Sequence, residues 1–182
     1  MKKVVFLTVA LVFAANMAFA QAGSVGIFGD PAGTTCNLTD VVQGLLSVYV
    51  VHVNAVATAS QFSAPMPGCM VGASWLSDTG IFPVTIGNSQ TGVAIGYGVC
   101  QTGNIHVLTI NYFAAGLSTP CCYYPVLPDP NVPSGKIEVV DCANNLLFAS
   151  GGIGIINADG SCQCDVPTEE TTWGKVKSLY GE

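Results

Sequence analysis

Eight cysteines, Cys36, Cys69, Cys100, Cys121, Cys122, Cys142, Cys162 and Cys164, are the side chains of this 182-residue sequence best equipped for chemistry. Clustered thiolates either ligate a soft metal or oxidise in pairs. Cys162-Gln163-Cys164, the adjacent Cys121-Cys122 and one of His52 and His106 could converge on copper or zinc. No Cys-x-x-Cys occurs, however, so the spacings of zinc ribbons and thioredoxin-type sites are missing.

The compartment decides between the two fates. Residues 1–20 read as an export signal, with Lys2 and Lys3 as its basic start, Val4 to Ala14 as its apolar run and Ala18-Phe19-Ala20 as a small-x-small cleavage site. A mature chain beginning at Gln21 meets an oxidising space, where thiols pair. Four structural disulfides are therefore expected, with no metal and no cofactor. Eight cysteines allow about a hundred connectivities. Cys121–Cys122 would close a strained ring, and Cys162–Cys164 is little better. The working expectation joins Cys142 to Cys162 or Cys164, Cys69 to Cys100, and Cys36 to Cys121 or Cys122.

Other catalytic patterns are absent or incomplete. There is no Gly-x-Ser-x-Gly elbow and no His-Glu-x-x-His, and each histidine sits alone in an apolar strand-like run. Such residues are expected to be packed and hydrogen-bonded. Asn157-Ala158-Asp159-Gly160-Ser161 and Asp129-Pro130-Asn131 have the oxygen ligands of calcium loops, but neither supplies the terminal bidentate glutamate. Both are read as turns. Glycoside hydrolysis would need two facing carboxylates, and the spacing of the acids favours no pair. Tyr123-Tyr124, Trp75 and Tyr97 are candidates for a sugar-binding platform and equally for core packing. Asn37-Leu38-Thr39 matches a glycosylation acceptor, a pattern that is usually incidental behind a bacterial-type signal.

Charge narrows the partners. The sequence has no arginine, and after residues 1–20 it holds three lysines against eleven acidic residues. No cationic face can be assembled from Lys136, Lys175 and Lys177, which excludes nucleic acid, anionic headgroups and polyanionic glycans as electrostatic partners. Proteins, neutral glycans and other copies of the chain remain. No second apolar run approaches the roughly 18 residues of a membrane-spanning helix.

The elements that must carry these residues read as strands. Val25–Phe28, Val48–Val56, Met70–Leu76, Pro83–Ile86, Val93–Tyr97, Ile105–Phe113, Lys136–Cys142, Leu146–Ala149 and Ile153–Ile156 are rich in Val, Ile and Tyr and are separated by Gly, Pro, Asn and Asp. Helical periodicity is absent up to Cys164, with a possible exception at Asp40–Leu46. Ile105–Phe113 is apolar on both sides, as in a central strand, with His106, Leu108, Ile110 and Tyr112 sharing one face. Ala143-Asn144-Asn145 reads as a hairpin turn. Four prolines between Pro125 and Pro133 predict an extended edge or loop. The expectation is an all-β, disulfide-stapled antiparallel sandwich of about nine strands over residues 21–164. Residues 165–182 follow as a linker and tail, with an amphipathic helix over Thr171–Tyr180.

That tail, Thr171-Thr172-Trp173-Gly174-Lys175-Val176-Lys177-Ser178-Leu179-Tyr180, resembles a terminal segment recurring on different exported bacterial proteins. The body, through segments such as Val48-Tyr49-Val50-Val51-His52 and Ile137-Glu138-Val139-Val140-Asp141-Cys142, is similar to uncharacterised exported proteins ending in such a tail. The resemblance implies no activity, cofactor or site. It suggests that Trp173, Val176, Leu179 and Tyr180 form a sorting or docking element, or a helix covering a sheet edge. The sequence thus points to an exported, non-catalytic binding or structural module at a bacterial surface, in the medium or in the periplasm. A secreted enzyme acting on carbohydrate is the alternative.

Overall fold

The computed structural model describes residues 22–164. The expected export segment over residues 1–20, and the tail carrying Trp173, Val176, Leu179 and Tyr180, lie outside the described residues.

Ten strands and no helix occur among the described residues. They are β1 (Ser24–Phe28), β2 (Asn37–Leu38), β3 (Gly44–Phe62), β4 (Ser74–Gly80), β5 (Val84–Asn88), β6 (Gly92–Ala114), β7 (Cys122–Pro125), β8 (Ile137–Asp141), β9 (Leu146–Gly151) and β10 (Ile153–Ile156).

Two strands organise the rest. β3 has 19 residues and β6 has 23, several times the usual strand length of about 5–6. They run antiparallel from the Gly44–Ala114 pair to the Phe62–Val93 pair. The register breaks between Val50 and Val51, between His52 and Ala55, and between Ala57 and Ala59. Such bulges bend a strand and let it pass from one sheet to the other. The first half of β3 pairs with β1 and the second half of β6 with β4, giving one layer in the order β1-β3-β6-β4. The other halves pair with β8 and β5, giving a second layer, β9-β8-β3-β6-β5. β1 also meets β9 in parallel through Ser24–Ser150 and Val25–Gly151, which ties the layers at one side. The small sheet β2-β10-β7 adds Leu38, Ile156, Cys122 and Tyr124 to the same core.

The core follows from alternation. Val48, Val50 and Phe62 of β3 face Val93, Ile95, Leu108, Ile110 and Tyr112 of β6, all nearly or fully inaccessible. Each such aliphatic side chain contributes about 1.5–3 kcal/mol on burial. Tyr112 and Tyr124 share a hydrogen bond in the middle, and the Tyr124 hydroxyl donates to the Ala64 carbonyl at 2.8 Å.

Several local expectations need correction. Asp40–Leu46 is not helical; it is a loop that becomes β3 at Gly44. The run Met70–Leu76 yields a strand only from Ser74, and Met70 instead buries its side chain from the preceding loop. Val93–Tyr97 and Ile105–Phe113 are parts of one strand. Val107 is bulged, so Val107 and Leu108 are both buried while His106 turns to the outer face, away from Leu108 and Ile110. The turn at Ala143-Asn144-Asn145 forms as expected, with Asn144 at φ 65° and Asp141 Oδ1 accepting from the amides of Ala143 and Asn145. The proline-rich stretch is extended, with Leu127 bridged to Ser63.

All eight cysteines are paired, as Cys36–Cys164, Cys69–Cys122, Cys100–Cys142 and Cys121–Cys162. None of the expected partnerships occurs. The reason is register: Cys142 directly follows β8, which lies beside β3, and this brings it to Cys100 of β6 rather than to the last turn.

Candidate functional site

The outer face of the layer β9-β8-β3-β6-β5 is apolar. Register places Val84, Gly96, Ala59, Val140 and Leu146 in one line across five strands, and Ile86, Ala94, Gln61, Glu138 and Phe148 in the next. The floor is low where Gly96 and Ala59 meet Ala94, the second line carries the polar Gln61 and Glu138 beside it, and the ends are bulky. The result is a shallow groove of about 140 Å³ between a Val84–Ile86 rim and a Leu146–Val140 rim. Val84 (50% accessible), Ile86 (68%), Leu146 (54%) and Phe148 (46%) remain open to solvent. Single exposed aliphatics are ordinary; here four of them stand on the two flanking strands, β5 and β9, joined by the half-buried Ala94, Gly96, Ala59 and Val140.

Among the described residues, the groove is lined by one acidic side chain, Glu138. Lys136 lies beside it with Nζ 4.6 Å from the centre of the Phe148 ring, capping that end of the face.

β5 forms one border of this face. Among the described residues it pairs with β6 alone, through an unbroken register from Val84–Gly96 to Asn88–Gly92. Sheet edges are normally guarded by lysine, proline or a bulge. Val84-Thr85-Ile86-Gly87-Asn88 has none of these, and its first four residues are exposed. The free main-chain edge and the apolar groove therefore adjoin. The sequence carried a signal for this in Leu146-Leu147-Phe148, which is apolar on both faces, whereas Val84-Thr85-Ile86 alternates and gave none.

The residues singled out for chemistry are used otherwise. Cys121 and Cys162 come within ligand distance of Asp159, but their sulfurs are bonded to each other and offer no thiolate. His52 is fully buried; its Nε2–H donates to the Ala22 carbonyl at 2.7 Å, which leaves Nδ1 to accept from the Tyr97 hydroxyl at 3.0 Å. Burial lowers its pKa, opposed by the Ala22 contact, so the ring is neutral. His106 packs edge-on against Tyr49 and bonds Thr109 Oγ1 at 2.9 Å, and burial lowers its pKa too. The structure does not bring the two histidines to any cysteine thiolate.

The acidic turns are clasps. Asp159 Oδ1 accepts from the Ser161 amide and hydroxyl at 2.7 and 2.6 Å. Buried Asp129 accepts from Gln61 Nε2 at 2.7 Å and from the Asn131 amide and side chain. Tyr97 and Tyr124 are core residues, whereas Tyr123 is exposed and Trp75 bonds Asp78, so the four aromatics do not form one platform. Asn37 uses its carboxamide oxygen to accept from the Cys164 amide at 3.1 Å. Besides the groove, the molecule has a cleft of about 610 Å³ beside the β9–β10 junction and a hollow of about 280 Å³ near Asn157; neither is lined by a carboxylate.

No protein-family model matches the sequence, and no curated protein matches it. Among solved structures, the chain is similar to a cohesin module of a family 33 glycoside hydrolase from Clostridium perfringens, at 6% identity and a TM-score of 0.48 over 77% of this chain and 100% of that one. It is also similar to the sixth cohesin of scaffoldin B from Acetivibrio cellulolyticus, solved in complex with a Cel5 dockerin, at 11% identity and a TM-score of 0.44 over 75% and 98%. A third is CaCohA2 from Clostridium acetobutylicum, at 9% identity and a TM-score of 0.45 over 78% and 94%.

Proposed function

We propose that this chain is an exported, non-catalytic protein-binding module, acting at a bacterial surface or in the medium. Its partner is a second polypeptide that lays an extended, apolar segment along β5 and over the neighbouring groove. The observation that carries this reading is the contiguity of an unguarded edge strand with a five-strand apolar face. An edge supplies main-chain hydrogen bonds, and alternate side chains of the added strand enter the groove. The low floor at Ala59, Ala94 and Gly96 leaves room for those side chains. Because Glu138 is the one acidic side chain lining the groove among the described residues, the incoming segment is neutral or carries a single base opposite it.

The test is selection from a displayed library of extended peptides against the purified mature protein. Binders are then measured against Ile86→Lys and Leu146→Asp variants. Both residues are exposed, so the variants should fold within about 0.5 kcal/mol of the parent. The reading holds if selected peptides bind the parent, lose at least about tenfold in affinity on either variant, and slow hydrogen exchange at β5 amides. It fails if no peptide is enriched, or if the variants bind as well as the parent.

A further inference from the structure

The cleft of about 610 Å³ lies away from the β5 face, and nothing ionisable among the described residues lines it. Its floor is where β1 meets the β9–β10 junction. There Gly26 and Gly152 approach so closely that a Cβ on Gly152 would stand 2.9 Å from the Gly26 Cα, so the floor is bare backbone. One wall is Phe28 with the Cys36–Cys164 disulfide, and Ile153 stands exposed at the rim. The opposite wall is the second bulge of β3, where Val53 and Asn54 together face Asn104 of β6.

That bulge presents polar groups in a fixed arrangement. Asn54 has φ 52°, a conformation that L residues other than asparagine and aspartate seldom adopt. Its amide donates to Asn104 Oδ1 at 3.1 Å. The Asn104 oxygen is thereby held, and its Nδ2 is left as a donor. Among the described residues, Asn104 Nδ2, the whole Asn54 carboxamide and the hydroxyls of Ser24 and Ser150 have no hydrogen-bond partner, although all four residues line the cleft.

We propose that this cleft is a binding site for a neutral oligosaccharide. Its volume lies within the roughly 300–1,000 Å³ of ordinary ligand sites. Carboxamides and hydroxyls both donate and accept, which matches the hydroxyl groups of a sugar. Ile153, 48% accessible, offers apolar surface to the C–H face of a ring, above the nearly buried Phe28. With no cationic side chain among the described lining residues, the cleft favours neutral over uronic or sulfated sugars. An added peptide strand is disfavoured here, because β1 is already paired with β3 on one side and with β9 on the other.

The experiment titrates the full mature chain with cello-, xylo-, manno-, malto- and chito-hexaoses, following amide resonances by NMR, with a polygalacturonate hexamer as the anionic control. A second protein carries Asn54→Gly and Ser150→Ala; glycine accepts the positive φ, so the fold is retained. At least one neutral hexaose should bind with a Kd below about 10 mM and shift the Asn54 and Asn104 resonances. The double variant, melting at the parental temperature, should bind about tenfold more weakly. Ile86→Lys should bind the sugar unchanged, which separates this site from the β5 face. The proposal is overturned if no neutral hexaose binds, if the double variant binds equally well, or if the anionic hexamer binds as tightly.

Discussion

Asn157 and Asp40 hold each other through two hydrogen bonds of opposite direction. The Asp40 amide donates to Asn157 Oδ1 at 2.8 Å, and Asn157 Nδ2 donates to the Asp40 carbonyl at 3.0 Å. The second Nδ2 proton goes to the Ser118 carbonyl at 3.0 Å, while the buried Asp40 carboxylate accepts from the Gly116 amide and the Ser118 hydroxyl. Three loops, following β2, β6 and β10, thus meet at one asparagine. Asn157→Gly keeps the φ of 53° accessible and removes three hydrogen bonds. At about 1 kcal/mol each, the expected loss is about 2–3 kcal/mol by urea denaturation. A loss below about 0.5 kcal/mol would mean that the loops are held by something else.

Asn157 and Asp159 also belong to the segment whose composition resembles a calcium loop. Asn157 Oδ1 and Asp159 Oδ1 each accept from protein donors, and the two sulfurs beside Asp159 are joined. Excess chelator should therefore leave the melting temperature of the protein unchanged. A fall of more than about 3 °C, roughly 1 kcal/mol for a domain of this size, would reveal a resident ion.

Cys121 and Cys122 are neighbours that bond in different directions, closing separations of 41 and 53 residues. In the loop-entropy account, that difference is worth only about 0.2 kcal/mol. The surroundings differ, however: Cys122 is inside the apolar core with Cys69 packed against it, whereas Cys162, though also buried, belongs to no apolar cluster among the described residues. Replacing Cys69 and Cys122 by alanine should therefore cost at least about 1 kcal/mol more than replacing Cys121 and Cys162. Equal losses in denaturant would contradict this. Disulfide mapping of the unreduced protein should recover Cys36–Cys164 and Cys100–Cys142 as well.

Acid should weaken the fold in two stages. His52 and His106 are held neutral, chiefly by burial, with pKa values below the ordinary 6.5. The unfolded chain takes up their protons first, so stability is full above about pH 6.5 and declines as the pH falls toward the folded-state values. The second stage involves Asp141, lowered by the Asn145 side chain and amide, and Asp129, whose burial is outweighed by hydrogen bonds from Gln61 and Asn131. Their contribution is present above about pH 3.9 and is lost below it. His52→Gln should flatten the melting-temperature profile between about pH 7 and 5. An unaltered slope would rule His52 out as its source.

How much could be read in advance depended on whether the determinant was local. The alternation in Ile137-Glu138-Val139 and the turn at Asn144 need only neighbouring residues, and both are where the sequence predicts them. The continuity of β6 was hidden because Gly98 and Gly103 adopt positive φ inside the strand and Gln101 and Thr102 interrupt its apolar run. The long partner strand β3 and the Cys100–Cys142 disulfide hold that segment in place. The reversal of His106 depends on a single unpaired residue, Val107, which no alternation pattern discloses. The disulfides required the complete strand order, since each joins residues at least 41 positions apart. The apolar face was legible as an excess of hydrophobic residues, but its rims come from strands that are neighbours only through β3 and β6.

That β3 and β6 belong to both layers has a mechanical meaning. Neither layer can peel away while the other survives, because each would have to tear the same two ribbons lengthwise. Calorimetry should record a single all-or-none melting event, with matching van't Hoff and calorimetric enthalpies. A module pulled between a cell and its partner would hold its shape until it gave way as a whole.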